Sequence, residues 1–548
     1  MTRNLKKALS DWLQHISADE ISPRRSIRQL GTSNTPDPAS PQRPGDESDT
    51  RQAIINTLLT TPHRDLTALH PLHAAMLDSD PRFYAHLAAW YFETGQVHDH
   101  KEMFVVVLCL ASDPAYRDVG LALLRQLAPH QVARVIDFIK GTDLRISLPM
   151  APRLRNPQAR SKSVRVKAGL FTNVPRSMRT EVERYLRERE QDEQRFDRLA
   201  VQSRKVLKHL YAGLHIQPGL LAQKILFDET PPAGTLANSV KQISQASSPA
   251  EQARAISEQR VPYRVAVSLV HEMTPMVLAA LLDVMTPQEV INNLAALTRR
   301  GAMDNPETKA LLEARLTAAK SDSRVSAYKA QVAAEAAGAE GELAGMLSEV
   351  TESQVKARGR ITRPSALLID KSGSMEMAIE AGRQLGALIS TICDADLYAY
   401  AFDRVAFDVT PQGSGSLADW DKAVAGIKAG GGTACGVAID QMRRKKQRVE
   451  QFIMITDEGE NSLPNFAPAY EQYAAEMGLR PAVILVKIGT TSNLLERECA
   501  RIGVSPNVFE FRGDYYALPN VIPLLTYPTL TELVMTILDQ PLPKRRPA

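Results

Sequence analysis

At 548 residues the chain is too long for a single core and long enough for two or three, so at least two domains are expected. Leu and Ala dominate the first 350 residues while aromatics are sparse, which argues against a large all-β fold. A formal net charge of only +4 excludes a general polycation, so any nucleic-acid surface must be local.

The chain opens with Met1 to Ile16, which lacks the uninterrupted apolar core of a signal peptide and reads as a short amphipathic helix. Residues 17–50 hold many Pro, Ser, Asp and Arg and almost no large apolar side chains, so residues 1–50 are assigned as a short helix and flexible linker. From about residue 51 to 142, apolar residues recur at three- and four-residue steps, with punctuation at His70-Pro71, Ser79-Asp80-Pro81, Ser112-Asp113-Pro114 and Ala128-Pro129. That spacing gives short helix pairs, each with a face that only a neighbour can cover, which is the pattern of stacked HEAT-like repeats. The most apolar run, Met103 to Ala111, is far too short to span a bilayer. The four cysteines, Cys109, Cys393, Cys435 and Cys499, form no CxxC pair; a reducing, cytoplasmic compartment without membrane attachment is expected.

The stretch Leu144 to Thr180 contains Arg145, Arg153, Arg155, Arg160, Lys162, Arg165, Lys167, Arg176 and Arg179 and not one Asp or Glu. Helical periodicity resumes at about Arg176 and runs to residue 345, interrupted near residues 213–219, 228–234 and 301–305. Gly338, Gly341 and Gly345 then loosen it, and the helical domain is taken as residues 51–350. After residue 360 the pattern changes. Ser365 to Asp370, Ala395 to Phe402, Gln451 to Asp457, Ala482 to Gly489 and Val508 to Arg512 are strand-like, with helical segments between most of them. Strands apolar on both faces and separated by crossover helices specify a mostly parallel, doubly wound sheet over residues 360–548.

The first of these strands ends in Asp370-Lys371-Ser372-Gly373-Ser374 and leads into an amphipathic helix, so Asp370, Ser372 and Ser374 fall in a loop at the carboxyl end of a central strand, where open α/β sheets bind ligands. A second loop, Ala429 to Thr433, offers the Thr433 hydroxyl just before a helix, and a third follows the strand that ends in Thr456-Asp457. An all-oxygen set with two acids suits a small hard cation that keeps its waters, pointing to Mg²⁺ or Mn²⁺ before zinc or Ca²⁺. In this order, Asp370, Ser372, Ser374, Thr433 and Asp457 are similar, position by position, to the metal-ion-dependent adhesion site of von Willebrand factor A domains. The resemblance implies that the hydroxyls touch the metal, that the aspartates act largely through water or hydrogen bonds, and that a partner's acidic group completes the shell.

Helical repeats followed by such a domain resemble the Ro (TROVE) family of RNA-binding proteins. The local match is Ala279 to Pro287 leading to Val290-Ile291-Asn292-Asn293-Leu294, with Asn292 where that family usually has Arg. The fold expected is therefore an α-helical HEAT-like repeat array followed by an α/β doubly wound von Willebrand A domain. By analogy, RNA contact falls to Leu144 to Thr180 and the helix after it, with Arg160, Lys162, Arg165, Lys167, Arg176 and Arg179 as the contact residues. Clustered cations without counter-charges displace counterions from phosphates, and a helix N-terminus adds backbone donors.

Other motifs offer less. His98-Asp99-His100 is expected in a turn, facing solvent, without a third ligand. Glu458 and Glu460 adjoin the metal loop, but no ordered nucleophile and base accompany them, and Cys435 has no His in its domain. Gly430 to Gly432 lacks the Lys and Ser/Thr of a phosphate loop. The expected function is a non-catalytic ribonucleoprotein component binding small or misfolded non-coding RNA, with a nuclease or another protein held through the A domain. The alternative is a metal-dependent protein-binding module with a helical partner-docking domain.

Overall fold

The computed structural model describes residues 51–545 apart from 52–53, 56–57, 59–65, 96, 149–161, 247, 340, 358, 414, 490–492, 512–520 and 528–529. The helix and linker expected over residues 1–50 lie outside the described residues, as does Arg160.

The first repeats are α1 (Leu66–Ser79), α2 (Pro81–Thr94), α3 (His98–Cys109), α4 (Pro114–Leu124) and α5 (Pro129–Lys140). The Asp-Pro punctuation works as helix starts. Asp80 accepts the Phe83 N–H at 2.9 Å and Asp113 accepts the Ala115 N–H at 2.8 Å, with a proline at the first helical position of each helix, where its missing N–H costs nothing. Met103 to Cys109 are all buried in α3, which packs against α1, α4 and α5. The most apolar run of the chain is therefore a core helix; among the described residues no helix is long and apolar enough to cross a membrane.

His98-Asp99-His100 departs from its expected setting. It opens α3 instead of lying in a turn, and His100 is fully buried, its Nδ1 2.8 Å from His73 Nε2, while His73 Nδ1 lies 2.8 Å from the Tyr84 hydroxyl. Burial, reinforced by His100 and His70, holds His73 well below the ordinary histidine range. Only His98 of the motif is exposed.

After α5 the basic segment forms an antiparallel hairpin, β1 (Thr142–Leu148) and β2 (Lys162–Ala168), which the periodicity does not predict. The helical array then continues as α6 (Arg176–Glu190), α7 (Glu193–Gly213), α8 (Leu220–Leu226), α9 (Leu236–Ile243), α10 (Pro249–Glu258), α11 (Tyr263–Leu269), α12 (Pro275–Val284), α13 (Pro287–Arg299), α14 (Pro306–Ala319), α15 (Ala327–Ala337) and α16 (Gly341–Lys356). The three expected interruptions are present, and Ser248-Pro249, Thr274-Pro275 and Thr286-Pro287 add further helix starts capped by the hydroxyl residue. A second core, from Ile243 to Val350, fills this later half.

The α/β domain, called the A domain after its expected fold, runs β3 (Ser365–Asp370), α17 (Glu376–Ile392), β4 (Leu397–Phe402), β5 (Ala406–Asp408), α18 (Leu417–Val424), α19 (Val437–Arg444), β6 (Gln451–Thr456), α20 (Phe466–Met477), β7 (Ala482–Ile488), α21 (Leu494–Arg501), β8 (Asn507–Phe511), α22 (Ile522–Thr526) and α23 (Leu530–Asp539). The sheet order is β5-β4-β3-β6-β7-β8, parallel except for the short edge strand β5. Alternate residues serve opposite faces, as the two-residue period of a strand requires. Leu367, Ile369, Ile453 and Ile455 join one core, and Ala366, Leu368, Phe452 and Met454 another.

The first of those faces is continuous with the core of the early helices. At one end of the array α16 packs on α17, and at the other α23 packs on α2. His86 Nδ1 lies 2.8 Å from the Gln540 carbonyl oxygen, and Arg545 donates to the buried Glu181 carboxylate at 2.7 Å. The A domain thus touches both ends of the helical array and the chain closes on itself.

Candidate metal site and nucleic-acid interface

The strand order reverses between β3 and β6, since one crossover leaves β3 toward β4 and the other leaves β6 toward β7. Loops diverge at such a switch point and open a crevice at the carboxyl edge. Asp370, the last residue of β3, and Thr456 and Asp457, at the end of β6, border it. Asp370 is fully buried; its carboxylate accepts the Ser372 N–H and the Thr456 hydroxyl, both at 2.8 Å. Across the crevice the Ser374 hydroxyl donates to Asp457 at 3.0 Å, so the first and third loops meet as the spacing predicts.

Thr433 is tied to the same place through its backbone. Its N–H donates to the Asn461 side-chain oxygen at 2.9 Å, and its carbonyl accepts the N–H groups of Asn461 and Ser462 at 3.0 and 2.9 Å. The Gly430 N–H donates to the Lys371 carbonyl at 2.8 Å, and the Lys371 ammonium pairs with Asp403 at 2.6 Å, joining the first loop to the second. Gly436 presses the end of this segment onto the loop before α20, where a Cβ would lie 2.3 Å from the Asn465 carbonyl oxygen. Asp370, Ser372 and Thr433 form the buried floor, and Ser374 and Asp457 stand at the more open rim.

Burial pushes the Asp370 carboxyl above its ordinary value; the Ser372 N–H and the Thr456 hydroxyl pull it back, and the Asp457 charge adds to the rise. Lys371 is spent on Asp403, and among the described residues no Lys or Arg pairs with Asp370. Two carboxylates that accept from neutral donors, together with three hydroxyls, are a donor set that fits a hard divalent cation. Among the described residues no group of three or more His, Cys, Asp or Glu that could hold a metal gathers. Thr456, which holds the Asp370 carboxylate, and Asn461, which holds the Thr433 backbone, were not singled out by spacing; the Thr of the Thr-Asp pair was the available signal. Nearby, Glu458 is buried against Lys487 at 3.2 Å, Glu460 accepts the Phe466 N–H at 2.7 Å, and burial raises the Cys435 thiol well above its ordinary value.

The basic residues lie elsewhere, between α5 and α6. Lys162, Arg165 and Lys167 are in β2, whose register sets Arg145 opposite Arg165 and Asp143 opposite Lys167. Arg176 and Arg179 are exposed on the first turn of α6, where Arg179 also donates to the His215 carbonyl at 2.9 Å. The acids of α6, which dilute its charge in sequence, are engaged: Glu181 is buried with Arg125, Arg184 and Arg545 around it, and Glu190 accepts from Arg187 at 2.7 Å and from the Tyr211 hydroxyl at 2.6 Å.

No protein-family model and no curated protein matches the sequence. Among solved structures, the crystal structure of the Ro (RSR) protein of Deinococcus radiodurans superposes on 86% of this chain and 99% of its own, with a TM-score of 0.57 and 15% identity. The chain has the fold of a Ro protein. Partial matches, each to about a third of the chain, are to a von Willebrand factor type A protein from Catenulispora acidiphila (TM-score 0.23, 20% identity, 33% of this chain and 42% of that one) and to proximal thread matrix protein 1 of the mussel byssus (TM-score 0.26, 14% identity, 31% and 48%). The Ro match takes in helical array and A domain together, in the order expected from the residues.

Proposed function

We propose that this chain is a non-catalytic, RNA-binding component of ribonucleoproteins of the Ro type, acting in the cytoplasm on small or misfolded non-coding RNA. The observation that carries the reading is an acid-free basic segment, residues 144–180, mounted on the Ro fold with Arg176 and Arg179 exposed at the start of α6. The A-domain edge, in the same reading, holds Mg²⁺ or Mn²⁺ through Asp370, Ser372, Ser374, Thr433 and Asp457. Once bound, the cation supplies a Lewis-acidic point for one further oxygen. The second reading, docking of a nuclease or other protein at that edge, is favoured by Leu463 and Val405, which are 81% and 56% exposed in loops beside Thr433.

The test is RNA binding as a function of salt. Wild type should lose affinity steeply as salt rises; Arg176→Ala with Arg179→Ala should weaken binding roughly tenfold or more near 0.15 M salt and make the log–log salt slope shallower by about 1 to 2. Binding unchanged in affinity and slope would remove the interface from α6.

A further inference from the structure

Phe83, Phe104, Phe138 and Phe196 are in the core of the helical array, but Phe171 is 47% exposed. It stands three residues after β2 and five before Arg176, inside the stretch that has no acid. Five residues of chain span at most roughly 18 Å, so the ring and the Arg176 guanidinium serve one local surface.

The position of Phe171 is built. Its backbone takes φ +54°, a left-handed conformation that residues with a Cβ rarely adopt and that surroundings must hold. Here the Leu170 N–H donates to the Phe138 carbonyl at 2.8 Å and the Thr172 N–H to the Ile139 carbonyl at 2.9 Å, clamping the loop on both sides of Phe171 to the end of α5. Leu170 and Val174 tuck against the core, and the three residues between them, Phe171, Thr172 and Asn173, are exposed. Two glycines make the seat. A Cβ at Gly141 would lie 2.7 Å from Cγ and Cδ1 of the Phe171 ring, and one at Gly169 would lie 2.4 Å from the Phe138 carbonyl oxygen. Gly141 and Gly169 both have positive φ, at 76° and 113°, so neither place tolerates another residue. The ring therefore rests on the Gly141 backbone with much of its surface in water.

We propose that Phe171 is a stacking platform for one unpaired base of a single-stranded RNA segment whose phosphates meet Arg176 and Arg179 at the start of α6. The inference rests on the RNA-binding reading above. Every base has a π face, so such a platform accepts any base, and it adds to the phosphate contacts a term that salt does not screen. An exposed, pre-positioned aromatic among Arg and Lys is also a feature of protein interfaces. The absence of any acid from residues 144–180 favours a polyanion over a protein surface of mixed charge.

The experiment uses the full chain and a fluorescein-labelled oligouridylate of roughly twelve nucleotides, compared with the same sugar–phosphate chain carrying abasic positions. Phe171→Ala should weaken binding of the oligouridylate roughly 5- to 100-fold with an unchanged salt slope, and leave binding of the abasic strand as it is in wild type. Phe171→Leu, which keeps an apolar side chain on the Gly141 seat but has no π face, should weaken binding in the same way while its unfolding midpoint stays at that of wild type; Phe171→Trp should retain the affinity. If wild type binds with a steep salt slope and Phe171→Leu binds equally well, the stacking role is overturned while RNA binding stands. If wild type binds neither strand, the RNA-binding reading itself fails and takes this role with it.

Discussion

Asp370→Asn should abolish divalent-metal binding at the A-domain edge, lowering the affinity for Mn²⁺ or Mg²⁺ in titration calorimetry by roughly 100-fold or more, without unfolding the domain. The carboxylate sits on the floor of the crevice, fully buried, and accepts from the Ser372 N–H and the Thr456 hydroxyl at 2.8 Å each. An amide of the same shape can still accept from Ser372 with its oxygen and donate to the Thr456 oxygen with its nitrogen, so the local geometry survives. What it loses is one of the two negative charges that a hard cation needs from the site. The metal-free variant should be no less stable than metal-free wild type, because a buried carboxylate that lacks a cationic partner is unfavourable in the empty fold. A saturating divalent cation, at about 100 times its Kd, should stabilise wild type by about 2.7 kcal/mol and the variant not at all. Equal cation-induced shifts in the unfolding midpoint of both proteins would remove Asp370 from the metal site.

Arg545→Glu should open the contact between the A domain and the first repeats. Glu181 has no exposed side-chain surface, and Arg545, itself only 25% exposed, reaches it at 2.7 Å and Asp118 at 3.6 Å. Removing one partner of a buried pair costs about 3 to 5 kcal/mol when nothing replaces it. Arg125 at 3.4 Å and Arg184 at 3.5 Å soften that loss for Arg545→Ala, but a charge reversal sets a second carboxylate against the buried one and should reach roughly the full amount. The measurement is hydrogen exchange: protection should fall in α2 and α23, the helices that meet at the closure, while α12 and α13 in the second core keep theirs. Unchanged protection of α23 would show that the apolar contact of α23 with α2 closes the chain unaided.

How much of this is legible in the sequence depends on how local each signal is. The crevice of the candidate metal site is written in short motifs, since Asp370 to Ser374, Gly430 to Thr433 and Thr456-Asp457 each end a strand or begin a helix, and the topology of alternating strands and helices brings those ends together. The hairpin is less visible. Leu144, Ile146 and Leu148 alternate as a strand should, as do Val164 and Val166, but the intervening cations draw attention to charge, and a strand without its partner has no local signature. Edge strand β5 is three residues long and exists only through β4. The buried His73 and His100 are 27 positions apart, and Arg545 and Glu181 are 364 apart, so nothing in either neighbourhood announces the contact. Asn461, which holds Thr433, belongs to the same class.

The most direct measurement is to crosslink the full chain to its ligands in cells by ultraviolet light, purify it under denaturing conditions, and sequence both the attached RNA and the crosslinked peptides. A small set of structured non-coding RNAs, attached within residues 144–180 or the first turn of α6, is the expected result. A protein that emerges without RNA above background, or with RNA attached only at the A domain, would contradict the account.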